Sequence, residues 1–308
     1  MTARGERERR ASGGLMNLNL SQLRAFVAVL DEGGFGAAAE TLHISQSAVS
    51  HAVAALERGL GSAVLTRQAP PRPTAFGERV LPHARAAVAA AAAIRDLADE
   101  RDGRPGGSLR LAAPTTVCQG LLPGLMTQWR TDFPRVGVTL FEGEDEEITG
   151  WLGDGTVDLA VLVDPPPGPG VTIARDRFHA LLPADHPLAG EPAVDVADLA
   201  DDAFLLSLGG CERHIRELHR RAGVPFDPTH RIRDMGTLMA MVRAGIGVSI
   251  LPALAGAMLV PRLVMVPLIQ EITRRLVLTG PPGHPWHPAV TAIVDAVSAR
   301  PDHVPPGG

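Results

Sequence analysis

The sequence predicts two fold classes in series: a small helical unit that ends in a long helix, and then an open α/β domain of two lobes. Three observations carry this. Apolar residues recur at helical spacing from Leu20 to Leu60. An alanine-rich run follows and stops at RDGRPGG (101–107), a break of three glycines and a proline. Beyond it strand-like and helix-like runs alternate, the grammar of a sheet with right-handed crossovers. The 308 residues are enough for two or three domains, and 45% hydrophobic content with 4% aromatics gives cores of Ala, Val, Leu and Ile.

The polar residues 1–16 read as a disordered arm, with Met16 serving equally well as a start. Leu23, Phe26, Val27 and Leu30 then mark a helix for which Ser21 is an available cap, and Gly33 and Gly34 stop it. A short helix over 36–42, a corner at His43 and Ile44, and a helix opened by Ser45 come next. Val49, Val53, Leu56 and Leu60 form one apolar stripe, which leaves Gln46, Ser47, Ser50 and His51 on other faces. After Gly61, AVLTRQAPPRPT (63–74) reads as two short strands or an extended loop. From Thr74 to Arg101, Val80, Ala84, Ala87, Ala91, Ile94 and Ala98 make a small-residue seam, placed either against a second subunit or against its own domain.

The α/β part opens with a strand at 108–113, one helix over 115–133, a strand at 136–143, a helix at 146–155 and a strand at 158–163. PPPGPG (165–170) is a loop. A second set follows: strands at 178–184 and 204–209, a helix at 212–223, a strand near 230–234, a helix at 236–245 and a strand at 248–252. Strands at 263–269 and 274–280 and a helix at 287–299 complete the chain. Hydroxyls and free amides at a helix start, as at Thr115 and Thr116, suit an anion or carboxylate.

Charge gives no global case for nucleic acid, because the net formal charge is -5. The surplus acid lies wholly in 107–308, with sixteen Arg against twenty-three Asp and Glu, while 17–106 is balanced at nine of each. Lysine is absent, so phosphate contacts fall to a few guanidinium forks. Two cysteines, Cys118 and Cys211, are too few and too far apart for a disulfide scaffold or metal cluster. A polar N-terminus and the lack of a long apolar run favour a cytoplasmic protein with no membrane partner. No HExxH, P-loop or GxSxG motif supports an enzyme, and EGEDEE (142–147) reads as a solvated turn and helix N-terminus.

LNLSQLRAFVAVLDEGGFGAAAETLHISQSAVSHAVAALERGLG (18–61), then LTR (65–67), PTAFGE (73–78), LLPADHPLAG (181–190) and AGIGVSILP (244–252) occur in an order that resembles LysR-type transcriptional regulators. The resemblance covers about Leu18 to Ser298. It implies an N-terminal winged helix-turn-helix with a long linker helix and a C-terminal α/β two-lobed, periplasmic-binding-protein-like effector domain. The corresponding divisions are an arm at 1–16, the DNA-binding domain at 17–75, the linker and dimerisation helix with its hinge at 76–105, the effector domain at 107–300 and a tail at 301–308. Lobe I takes about 107–163 and 267–300, and lobe II about 170–266.

The resemblance assigns Ser45, Gln46, Ser47, Ser50 and His51 to the major groove of double-stranded DNA, and Arg67 and Arg72 to a wing that touches backbone or minor groove. It assigns Val80, Ala84, Ala87, Ala91 and Ile94 to self-association as dimer or tetramer, and it adds RNA polymerase as a further partner. Thr115, Thr116, Val163, Ser207, Gly210, Cys211 and Gly247 border the site of an unidentified small-molecule effector, with no metal or fixed cofactor. The chain departs from the family pattern at Gly34 and Gly36 around Phe35, at Ser47, at Leu65, and at His51, where a titrating group replaces an Arg or Lys. Two rivals are a stand-alone small-molecule binding protein and a regulator that senses oxidants through Cys118 or Cys211.

Overall fold

The structure, a computed structural model, describes residues 18–98, 105–283 and 285–299. The arm, the tail and most of the break near 101–107 lie outside the described residues. The chain divides into two compact units, Met1–Arg95 and Asp96–Gly308.

In the first unit, α1 (Leu20–Asp31), α2 (Phe35–Leu42) and α3 (Gln46–Leu60) surround one core, in which Phe26, Val49 and Leu56 are fully buried. Removing each such side chain from water contributes about 1.5–3 kcal/mol. The cap of α1 is Asn19, not the expected Ser21: Asn19 Oδ1 accepts Ser21 N–H at 2.9 Å, and Gln22 Oε1 accepts Asn19 N–H at 3.3 Å. This reciprocal box satisfies two end amides, whereas Ser21 already lies inside the helix. His43 turns the chain with φ 55°, and Ser45 caps α3 by accepting Ala48 N–H at 3.2 Å.

The segment after Gly61 closes into a narrow loop through a single antiparallel bridge between Leu65 and Pro73. Glu57 of α3 holds its first limb, with Oε1 accepting Val64 N–H at 2.9 Å and Leu65 N–H at 3.2 Å. The long helix α4 (Ala75–Ala98) then begins against the same limb. Gly77 is required there, since a Cβ would lie 2.0 Å from the Val64 carbonyl oxygen. Arg85 of α4 pairs with Asp31 of α1. Ala84 is buried in the core of this unit and Val80 packs beside it, so that end of the small-residue seam is occupied internally. Ala87, Ile94 and Leu97 stay exposed, Ile94 at 67%.

The second unit is built on a sheet ordered β2-β1-β3-β9-β4-β7, with β8 also paired to β4. Its strands are β1 (Gly107–Ala113), β2 (Val136–Glu142), β3 (Leu159–Val163), β4 (Val171–Pro183), β7 (Ser249–Pro252), β8 (Leu263–Pro267) and β9 (Thr273–Thr279). A short parallel pair, β5 (Leu205–Ser207) and β6 (His230–Ile232), stands beside it. Helices α5 (Thr115–Gly120), α6 (Leu122–Asp132), α7 (Asp145–Gly153), α8 (Glu212–Ala222), α9 (Met235–Arg243) and α10 (Pro288–Ser298) cover the strands.

Two expectations shift here. The expected single helix over 115–133 is broken at Leu121 into α5 and α6, with Pro123 in the first turn of α6, where its missing N–H costs nothing. The lobe boundary also does not fall in the proline-rich loop. Val171–Arg177 of β4 pair with β9, whereas Phe178–Pro183 pair with β7 and β8, so a single strand passes from one lobe to the other. The burial record agrees: Ile173 and Ala174 belong to one core and Phe178 to the next. The return crossing lies between β8 and β9, since Leu268 remains in the second core and Leu276 in the first.

Candidate functional site

In the first unit the exposed leading turns of α3 carry Gln46, Ser47, Ser50 and His51, with Ser45 at the cap and its Oγ 2.9 Å from Ser47 Oγ. The buried stripe Val49, Val53 and Leu56 faces the other way, so these polar groups form one outward surface. Arg67 and Arg72 are exposed on the narrow loop. Its neck is fixed by Thr66 N–H to the Arg72 carbonyl at 2.7 Å and Arg72 N–H to Thr66 Oγ1 at 3.1 Å.

In the second unit a cavity of about 500 Å³ opens between the two lobes. The first lobe lines it with Thr115, Thr116 and Gln119 from α5, and with Glu142, Glu144 and Glu147 around the start of α7. The second lobe contributes Ser207, Gly209 and Cys211 from the loop before α8, Asp234 and Met235 from the start of α9, and Ile250 to Pro252 from β7. Thr115, Thr116, Ser207 and Cys211 therefore meet at one site. Gly210 abuts Asp145, which would sit 2.7 Å from an added Cβ, and it does not line the cavity. Val163 and Gly247 are also outside the lining. Val163 gives its carbonyl to Arg213 at 3.0 Å, and Gly247 packs so tightly that a Cβ would lie 2.1 Å from the Ala203 oxygen. Their places follow from packing of the strand ends, not from proximity to a ligand.

The residue that sequence reasoning missed is Arg274. It is 1% exposed, sits on β9 close to the crossing and lines the cavity. Its Nη2 donates to Asp176 Oδ2 at 2.7 Å and to Thr116 Oγ1 at 2.7 Å, and Nε donates to Asp176 Oδ2 at 3.0 Å. Its Nη1 lies 3.6 Å from Cys211 Sγ. Asp176 and Arg274 are direct cross-strand partners, so the pair is fixed by register between β4, which crosses from one lobe to the other, and β9, which follows the return crossing. Burial works against the guanidinium charge, but Cys211, Asp176 and Asp145 outweigh it and raise its pKa. The only sequence signal was an arginine pair at the head of the short apolar run Leu276–Leu278, and nothing in it says which arginine turns inward.

Both thiols are buried. Burial, with Glu142 adding to it, pushes Cys118 up to about 12. Burial also raises Cys211, and Arg274 does not offset it. The cation beside Cys211 is thus Arg274; Arg213, the neighbour in sequence, is engaged with Val163 and Asp164. Neither sulfur is held as the thiolate that reacts with oxidants.

Among the described residues no group of three or more His, Cys, Asp and Glu could hold a metal ion, and no helix is long and apolar enough to cross a membrane.

Two family models match the chain in sequence order. Residues 20–78 match the helix-turn-helix of bacterial regulatory proteins of the lysR family, and residues 102–301 match the LysR substrate binding domain. A probable HTH-type transcriptional regulator, LrrA of Synechococcus elongatus, is 34% identical across 79% of this chain and 84% of its own length. A probable hydrogen peroxide-inducible genes activator of Mycobacterium leprae is 33% identical across 76% of this chain and 77% of its own. Among solved structures, a full-length OxyR variant from Pseudomonas aeruginosa superimposes with a TM-score of 0.74 at 26% identity, covering 91% of this chain and 98% of that one.

Proposed function

Because the chain belongs to the LysR family of bacterial transcriptional regulators, we propose that α3 and the arginine-bearing loop read its DNA site and that a small molecule in the interlobe cavity sets the response. As a DNA-binding regulator of this family it is not an enzyme, and it works in the cytoplasm beside the chromosome. The observation that carries the effector half is the cavity itself, walled by both lobes and placed beside the crossing in β4. A ligand that touches both walls favours one arrangement of the lobes over another, which is the unequal affinity that coupling requires.

Gln46 has the donor and acceptor to pair with an adenine edge, and Ser47 and Ser50 can meet either bases or phosphates. Arg67 and Arg72 supply charge to the backbone or minor groove. So few cations release few counterions per module. Tight binding then comes from two or more modules held together by α4, through the exposed Ala87, Ile94 and Leu97, in a dimer or a tetramer assembled from dimers. From DNA flanking a promoter, such an assembly can reach RNA polymerase. Affinity for a whole operator and for one half-site, measured against chain concentration, tests this. The reading expects the whole site to be bound far more tightly as the chain assembles, and a monomer that binds one half-site equally tightly contradicts it.

A further inference from the structure

We propose that the effector is a small organic cation, an amine or guanidinium with an apolar body, and not a carboxylate. The inference rests on the reading of the interlobe cavity as the effector site. Four carboxylates, Glu142, Glu144, Glu147 and Asp234, line the cavity against two guanidiniums, Arg233 and Arg274. Each of these cations already faces a carboxylate of the protein. Arg274 is committed to the buried Asp176 at 2.7 Å, and Arg233 faces Glu144 at 3.3 Å.

Helix starts that open on the cavity would ordinarily attract anions, but at two of them, α7 and α9, an acid of the protein already takes an amide. Glu147 Oε2 accepts the amide of Glu144 at the start of α7 at 3.0 Å. Asp234 accepts Thr237 N–H at 2.7 Å at the start of α9, and that bonding holds its carboxyl below the usual range. Thr115, the expected anchor for a carboxylate, instead donates its hydroxyl to Glu142 at 2.7 Å. An anionic ligand would meet a surplus of like charge, four carboxylates against two guanidiniums that already face carboxylates.

The remaining lining describes the rest of the molecule. Ile250, Leu251 and Met258 offer an apolar wall. The Ser207 hydroxyl, 5% exposed, accepts Gly209 N–H at 3.3 Å and has no acceptor for its own proton among the described residues. It suits a neutral acceptor on the ligand at the end away from the charge. A metal ion is a poorer occupant, since among the described residues no acidic group has the geometry to hold one.

Calorimetric titration of the full-length protein with 1,4-diaminobutane and agmatine, against succinate and glutarate as carboxylates of similar length, tests the charge preference. The expected result is binding of at least one amine at about tenfold or better preference over the acids. Glu142→Gln with Glu147→Gln removes that preference, and Glu146→Gln, outside the lining, leaves it unchanged. Binding of the dicarboxylates instead overturns the inference but keeps the cavity as an effector site. Binding of neither series also overturns it. The underlying reading is judged separately with Gly209→Leu, which adds bulk to the cavity wall where the nearest atom to a new Cβ is 3.5 Å away. If that variant controls a promoter reporter like the parent under every growth condition, the cavity is not an effector site.

Discussion

Replacing Arg274 with Met should destabilise the effector unit beside the crossing between its lobes. The guanidinium is 1% exposed and its partner Asp176 is 4% exposed, so the substitution leaves a buried carboxylate that keeps, among the described residues, the Leu254 amide at 3.2 Å as its donor. Removing one member of a buried pair costs about 3–5 kcal/mol, a large share of the roughly 5–15 kcal/mol that keeps a domain folded. The loss is confined to the effector unit, and so is the optical signal, because all three tryptophans, Trp129, Trp151 and Trp286, lie there. With a urea slope of about 2 kcal/mol per molar, the midpoint of the tryptophan transition should fall by roughly 2 M. The double variant Arg274→Met, Asp176→Leu removes the stranded charge and should regain most of the loss, since apolar replacements of a buried pair are often neutral. A single-variant loss below about 1 kcal/mol, or a double variant that loses the sum of both singles, would refute the assignment of this pair as a coupled tie between β4 and β9.

Three further outcomes follow from the same geometry. Burial lowers the pKa of His214, against a hydrogen bond from Nε2 to Asp164 at 2.8 Å, and burial lowers His219. Depressed histidines contribute stability above their unfolded value and lose it as pH falls, so the tryptophan midpoint should drop below about pH 6.5, and His214→Phe should flatten that slope in a urea series across pH. Gly77→Ala drives a Cβ against the Val64 oxygen; it should abolish operator binding in a gel-shift assay while leaving the tryptophan transition in place. The double variant Cys118→Ser, Cys211→Ser should retain the parent's transcriptional response to peroxide, because both thiols are buried and raised in pKa; a reporter response lost only in the variant would restore the thiol-sensing alternative.

Local grammar made most of the elements legible. The α3 cap at Ser45 and the stripe to Leu56 are encoded within one helix, and most strands of the α/β unit announce themselves by an apolar run; the exceptions are β6, His-Arg-Ile, and the first half of β4, where Arg175, Asp176 and Arg177 hide the strand. What was not legible depends on distance along the chain. Asp176 and Arg274 lie 98 positions apart, and each looks like an ordinary polar residue on a strand until register places them opposite. The same blindness made Thr115 look like an open anion anchor when Glu142, from the next strand, takes its hydroxyl. Ala84 illustrates a different failure: small residues at coiled-coil spacing pack equally well against a helix of the same domain, and here that end of the seam is taken by the core of the first unit. Ser21 lost the cap to Asn19 because two residues, not one, decide a reciprocal box.

The most direct test is the binding of full-length protein to DNA upstream of its own gene, compared with shuffled DNA of equal length, by fluorescence anisotropy over a salt series. The account predicts a preference of about a thousandfold or more for the native sequence, affinity that weakens as salt rises, and loss of the preference when Gln46, Ser47 and Ser50 are replaced by Ala. Equal affinity for native and shuffled DNA at every salt concentration would contradict it.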